Sequence, residues 1–109
     1  MDRLNYQEPI EKILQSFSDM VTRQGTEVEI IRDREGGHYL VMVAGWHNES
    51  RVYGSVIHID IKDGKIWVQQ DRTDTGVANE LIEAGIPKSQ IVLAFQSTFL
   101  RQFSDYAMG

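Results

Sequence analysis

His58 and Asp60 stand two residues apart, the spacing at which a strand puts both side chains on one face. A histidine beside a carboxylate can serve as a general base, with the acid as its orienter. Nucleophilic catalysis also needs a hydroxyl or thiol next to that base. Gly54-Ser55 lacks the G-x-S-x-G pattern of a hydrolase elbow, and no other nucleophile is placed nearby. The pair therefore reads as a strand histidine with a neighbouring carboxylate. Asp60-Ile61-Lys62 has the acid-x-Lys form of one large class of magnesium nucleases. There the acids hold the ion and the lysine steadies a water. That chemistry needs a second acid, and Asp33 and Glu49, both at loop ends, are the candidates. A lysine flanking a hairpin turn explains the same three residues, and short motifs match by chance. A metal-dependent nuclease or hydrolase using Asp60 and Lys62 is carried as the alternative reading.

The remaining chemistry-bearing residues do not assemble on paper. His38, His47 and His58 follow no metal-ligand spacing. Among Asp60, Asp63, Asp71 and Asp74, Asp63 is explained by a turn and Asp74 by a helix cap, and no calcium loop is present. The chain has no cysteine, which excludes disulfides, thiolate metal sites and a cysteine nucleophile. Gly36-Gly37 and Gly45 stand without either phosphate-loop motif. The reading is no catalytic set, no cofactor and no metal.

The elements that position these residues follow from periodicity. Ile10, Ile13, Leu14, Phe17 and Val21 form a helical stripe, so a first helix is expected from about Tyr6 or Pro9 to Val21. Asn5 is its expected cap, with Glu8 completing a capping box, and Gly25 its stop. Val28, Ile30 and Arg32 alternate with Glu27, Glu29 and Ile31 as a half-buried strand, turned by Glu35-Gly36-Gly37. The almost wholly apolar Tyr39 to Trp46 is a strand covered on both sides. The loop His47-Asn48-Glu49-Ser50 leads to a long strand from Arg51 to Ile61.

Asp63-Gly64 is a strong two-residue hairpin signal and sets a register: Lys62 faces Lys65, Ile61 faces Ile66, Asp60 faces Trp67, Ile59 faces Val68 and His58 faces Gln69. Ile57, Ile59, Ile61, Ile66 and Val68 then share one face, and His58, Asp60, Trp67 and Gln69 the other. Pairing Trp46 with Arg51 would add Tyr39, Val41, Val43, Val52 and Val56 to the second face. One helix cannot cover both faces, so later helices, a second copy or a partner must. Trp67 is either an interface residue or packed beneath the helix starting near Thr75, and His58, Asp60, Trp67 and Gln69 are the candidate interface.

Thr73-Asp74-Thr75 is the expected start of a second helix bearing Val77, Ala78, Leu81 and Ile82, closed by Gly85 and Pro87. Ile91 to Phe95 reads as a short edge strand. Ser97 caps a last helix carrying Phe99, Phe103 and Tyr106. The fold class is α+β in a single domain over residues 1–109: an N-terminal helix, an antiparallel sheet of about four strands in a meander of hairpins, and two C-terminal helices.

At 109 residues the chain is long enough for one core without staples, and its net charge of −5 argues against direct duplex binding, as does the lack of a basic cluster. Met1-Asp2-Arg3-Leu4 shows no secretory pattern, and no apolar run approaches the roughly 20 residues of a membrane span. A cytoplasmic protein with a protein or small-ligand partner is expected, and no membrane association.

The stretch IHIDIKDGKIWVQQDRTDTGVANELIEAGIPKSQIVLAF, from Ile57 to Phe95, resembles the XisI family, the fdxN element excision controlling factor proteins of cyanobacteria. RVYGSVIHID before it, Arg3-Leu4-Asn5-Tyr6, Ala44-Gly45-Trp46 and the aromatic end near Phe103 are similar too. The resemblance implies an accessory factor in excising a DNA element that interrupts a nitrogen-fixation operon during heterocyst differentiation. The recombinase is a separate protein. A nuclease-like XisH protein is the implied partner, with a homo-oligomer or a direct DNA-binding helper as further readings. No catalytic residues are carried over. Where relatives often have a His-Ser-Pro-like segment, this chain has Gln96-Ser97-Thr98.

Overall fold

The computed structural model describes residues 3–20 and 25–109, the side chains of Arg3, Leu4 and Asn5 excepted. A first helix, α1 (Arg3–Met20), precedes four strands, β1 (Thr26–Asp33), β2 (His38–His47), β3 (Ser50–Lys62) and β4 (Lys65–Asp71). Then come α2 (Val77–Glu83), a 3-10 turn (Lys88–Gln90), β5 (Ile91–Leu93) and the single-turn α3 (Thr98–Arg101). The sheet has five strands in the order β1-β2-β3-β4-β5. Its first four are antiparallel, the expected meander of hairpins, and β5 joins as an edge strand paired with β4 in parallel, which makes the sheet mixed.

Helix α1 starts earlier than its stripe suggests. Asn5 and Pro9 lie inside it, so Asn5 is not the cap, and Val21 lies outside the described residues. Tyr6 explains the extra turn. Its ring is fully buried, and its hydroxyl lies 2.6 Å from Gln90 Oε1 and 3.1 Å from the Gly64 carbonyl oxygen. That anchor holds the first turn helical although Pro9 has no N–H to give its i−4 carbonyl. On the same helix, Glu11 accepts hydrogen bonds from Arg34 at 2.8 and 3.0 Å and an ion pair from Arg32, tying α1 to β1 and its turn.

Two irregularities set the faces of the sheet. Trp46 pairs with Arg51 as expected, but a β-bulge between Val41 and Met42 leaves Val56 as an extra residue in β3. Tyr39 therefore pairs with Ile59 and Val41 with Ile57, which moves both to the core face, where each is fully buried. Val43 and Val52 follow by alternation, and Val56 packs against the core. The expected placement of these five residues beside His58 is thus corrected: a bulge shifts register by one, and a one-residue shift changes face. A second bulge makes Gln69 the extra residue in β4, so His58 pairs with Gln70 instead of Gln69.

Asp63 and Gly64 both have positive φ, 54° and 73°, the requirement of the tight hairpin turn. Ile57, Ile59, Ile61, Ile66 and Val68 are buried as one face, against Tyr6, Ile10, Ile13 and Leu14 of α1 and Val77 and Leu81 of α2. The cap of α2 differs from expectation. Gly76 occupies the cap position and makes no side-chain bond, and it is Asp71 that accepts from the Val77 amide at 2.7 Å and from Thr73. Ser97 caps α3 as expected, accepting from the Leu100 amide at 3.2 Å. The helix ends at Arg101, so Phe103 and Tyr106 lie beyond it, and Phe99 and Phe103 are exposed.

Candidate functional site: the open face of the sheet

Helices α1 and α2 both pack on one side of the sheet. On the other, Leu40, Met42, Tyr53, Ser55, His58, Asp60 and Trp67 stand outside the core cluster. The four residues expected as an interface, His58, Asp60, Trp67 and Gln69, all lie there. Asp60 is their hub. Its Oδ1 is 3.0 Å from His58 Nε2 and its Oδ2 accepts from Gln69 Nε2 at 3.2 Å. His38, which sequence reasoning left apart, sits across from Asp60 on β2 with Nδ1 2.7 Å from the same Oδ1. The bulge at Val56 creates this meeting: the register without it places His38 opposite Ile59, on the other face. Partial burial pushes the Asp60 carboxyl up. The hydrogen bond from His38 and the charge and hydrogen bond of His58 outweigh that and hold it below the ordinary carboxylate range.

Trp67 lies opposite Asp60 and is covered by neither of the helices in the core. Its indole N–H donates to the Lys62 carbonyl at 3.0 Å, Lys62 Nζ sits 4.1 Å from the ring centroid, and Gly109 lies against the ring. The expected alternative, packing beneath α2, fails because α2 is on the opposite face.

At the far end of this face is a group that sequence reasoning missed. The Arg51 guanidinium lies 5.3 Å from the Trp46 ring and 5.6 Å from the Tyr53 ring. Trp46 is 54% and Tyr53 68% exposed. The signal was available: pairing Trp46 with Arg51 across the two-residue loop places all three on one side.

The nuclease pattern does not assemble. Lys62 stacks on Trp67, and Asp33 is engaged by its own turn, accepting from the Gly36 amide at 2.8 Å. Glu49 is in the β2–β3 loop, roughly 30 Å from Asp60 at about 3.3 Å of strand per residue. The Ser55 hydroxyl, three residues before His58 on β3, is bonded to the Gln70 side chain.

These features define a small α+β protein with a mixed five-stranded sheet, clothed by helices on one side and presenting aromatic and ionisable groups on the other. The chain belongs to the XisI family, matching it over residues 1–108. It is similar to the crystal structure of a XisI-like protein from Anabaena variabilis, with 44% identity and a TM-score of 0.93 over 99% of this chain and 100% of that one. It is also similar to the fdxN element excision controlling factor XisI of the same organism, with 28% identity and a TM-score of 0.87 over the same shares. No curated protein matches the sequence significantly. Among the described residues, no helix is long and apolar enough to cross a membrane.

Proposed function

We propose that this chain is a non-enzymatic accessory factor in the control of DNA-element excision, and that it works by docking a protein partner on the open face of its sheet. The regulatory role is supported by the family, whose structurally similar member is an excision controlling factor. The docking mechanism is supported above all by Arg51 set between the exposed Trp46 and Tyr53. Trp, Tyr and Arg are the residues that dominate interface energetics, and here they stand side by side on a hydrogen-bonded strand pair. The net charge of −5 favours a protein surface over the phosphate backbone. An XisH-like protein is the proposed partner, and a reducing cytoplasm suits a chain without cysteine.

The test is purification of the tagged full chain together with its partner, wild type against Tyr53→Asp and Trp67→Arg. A stoichiometric XisH-like protein, its affinity lowered about 30-fold or more by Tyr53→Asp, is expected, since hot-spot side chains contribute about 2 kcal/mol or more. Full retention in both variants would remove the open face as the interface. Self-association alone, broken by Tyr53→Asp, would assign the face to a second copy and overturn partner docking.

A further inference from the structure

We infer that His38, His58 and Asp60 form a binding site for a divalent transition-metal ion, with zinc the ion best matched to the ligand set. The three side chains can each present one donor atom within 4.8 Å of the others, and among the described residues no other histidine or carboxylate joins them. Two ligands on a tetrahedral zinc, each about 2.1 Å from the ion, are about 3.4 Å apart. Nδ1 of His38 and Nε2 of His58 already lie 2.7 and 3.0 Å from one carboxylate oxygen, so modest side-chain rotations open the space an ion needs.

The positions are fixed by backbone. His38 and Asp60 are direct cross-strand partners, and His58 is two residues from Asp60 on the same strand face. Gln69 holds the other oxygen of Asp60 from β4, the kind of outer hydrogen bond that orients a ligating carboxylate. Exposure is graded: the Asp60 side chain is 15% exposed, His58 33% and His38 54%. The carboxylate is shielded from water while the imidazole of His38 leaves a way in and room for a fourth ligand.

Donor chemistry selects the ion. Two imidazoles and one carboxylate suit zinc and its neighbours, whereas magnesium and calcium require mostly oxygen ligands. In the metal-free protein, both histidines converge on a single acceptor oxygen; a bound cation would take both nitrogens and the oxygen as ligands at once.

Metal binding and partner docking are separable: a chain that docks its partner and binds no zinc loses only the metal site. The experiment is titration of the metal-stripped full chain with zinc chloride against a chromophoric chelator. Cobalt(II) chloride serves as a spectroscopic probe in a parallel titration. One equivalent is expected to bind, with visible cobalt d–d bands. His38→Ala should weaken zinc binding by about 100-fold or more, and Gln69→Ala by about 10–100-fold, the usual range for outer-shell partners. His47→Ala, at the far end of β2, should change nothing. His38 is half exposed, so its removal leaves the fold intact by circular dichroism even where His58→Ala does not fold. The site is overturned if zinc does not saturate at one equivalent, if His38→Ala binds as wild type does, or if His47→Ala abolishes binding.

Discussion

Asp60 is the residue on which the open face turns. It accepts from His38, His58 and Gln69. Its carboxyl is held below the ordinary range despite partial burial, so the native state binds that proton less readily than the unfolded chain does. A depressed carboxyl contributes stability above its unfolded value, near 3.9, and loses it as the pH falls through that value toward the native one. Melting temperature should therefore drop more steeply between about pH 5 and pH 3 in the wild type than in Asp60→Asn, whose amide does not titrate. Parallel acid profiles would show that the histidines contribute no net stabilisation of the carboxylate. Part of this cluster was legible: the i, i+2 spacing of His58 and Asp60 put them on one face. His38 was not, because its position depends on a backbone bulge that no residue type announces. The side chain at the bulge, Val56, is an ordinary strand residue.

At the scale of elements, Arg101 does for the C-terminal segment what the core does for the sheet. From the end of α3 its guanidinium donates to the carbonyls of Leu93, Ala94, Gln96 and Met108, at 3.0 to 3.3 Å. It also lies 5.8 Å from the Trp67 ring centroid. One planar cation thus satisfies carbonyls on both flanks of a four-residue helix that has no buried side chain of its own. Hydrogen bonds from a charged donor contribute about 1.5–3 kcal/mol each in favourable cases, with strong non-additivity. Arg101→Ala should cost about 2 kcal/mol, roughly 10 °C in melting temperature. Arg101→Lys should recover less than half of that, since an ammonium has no fork to span separate carbonyls. Full rescue by lysine would reduce the role to one of charge. Elements with strong local requirements were readable in advance: Asp63-Gly64, because both positions need positive φ, and Ser97, because its hydroxyl meets a helix amide. The cap of α2 was misplaced because Asp71 reaches forward six residues through a folded loop, beyond any local motif.

Over the whole molecule, the sheet separates a core face from an open face, and the alternation of Ile57, Ile59 and Ile61 with His58 and Asp60 foretold that division. What alternation missed was the membership of β2, where one extra residue in the neighbouring strand exchanged the sides. It also missed the fifth strand's direction, which depends on α2 carrying the chain across before β5 joins the sheet in parallel. That crossover has a consequence for how the molecule comes apart. Strands β1 to β4 are joined by short hairpins, whereas the 94–107 stretch is attached through the short β5, the Arg101 bonds, the packing of Tyr106 against the edge of the core and a bridge between Val92 and Ala107. Segments held by few contacts open locally without global unfolding. In native-state hydrogen exchange, the Ala107 amide, bonded to the Ile91 carbonyl at 2.8 Å, should exchange by a route insensitive to low denaturant. Ile59, in the middle of the sheet, should exchange only with global unfolding, and equal protection at both amides would mean that the protein opens as one unit. In the locally opened form, Trp67 loses its contacts with Arg101 and Gly109, so lifting the tail would uncover the rest of one indole on the open face of the sheet.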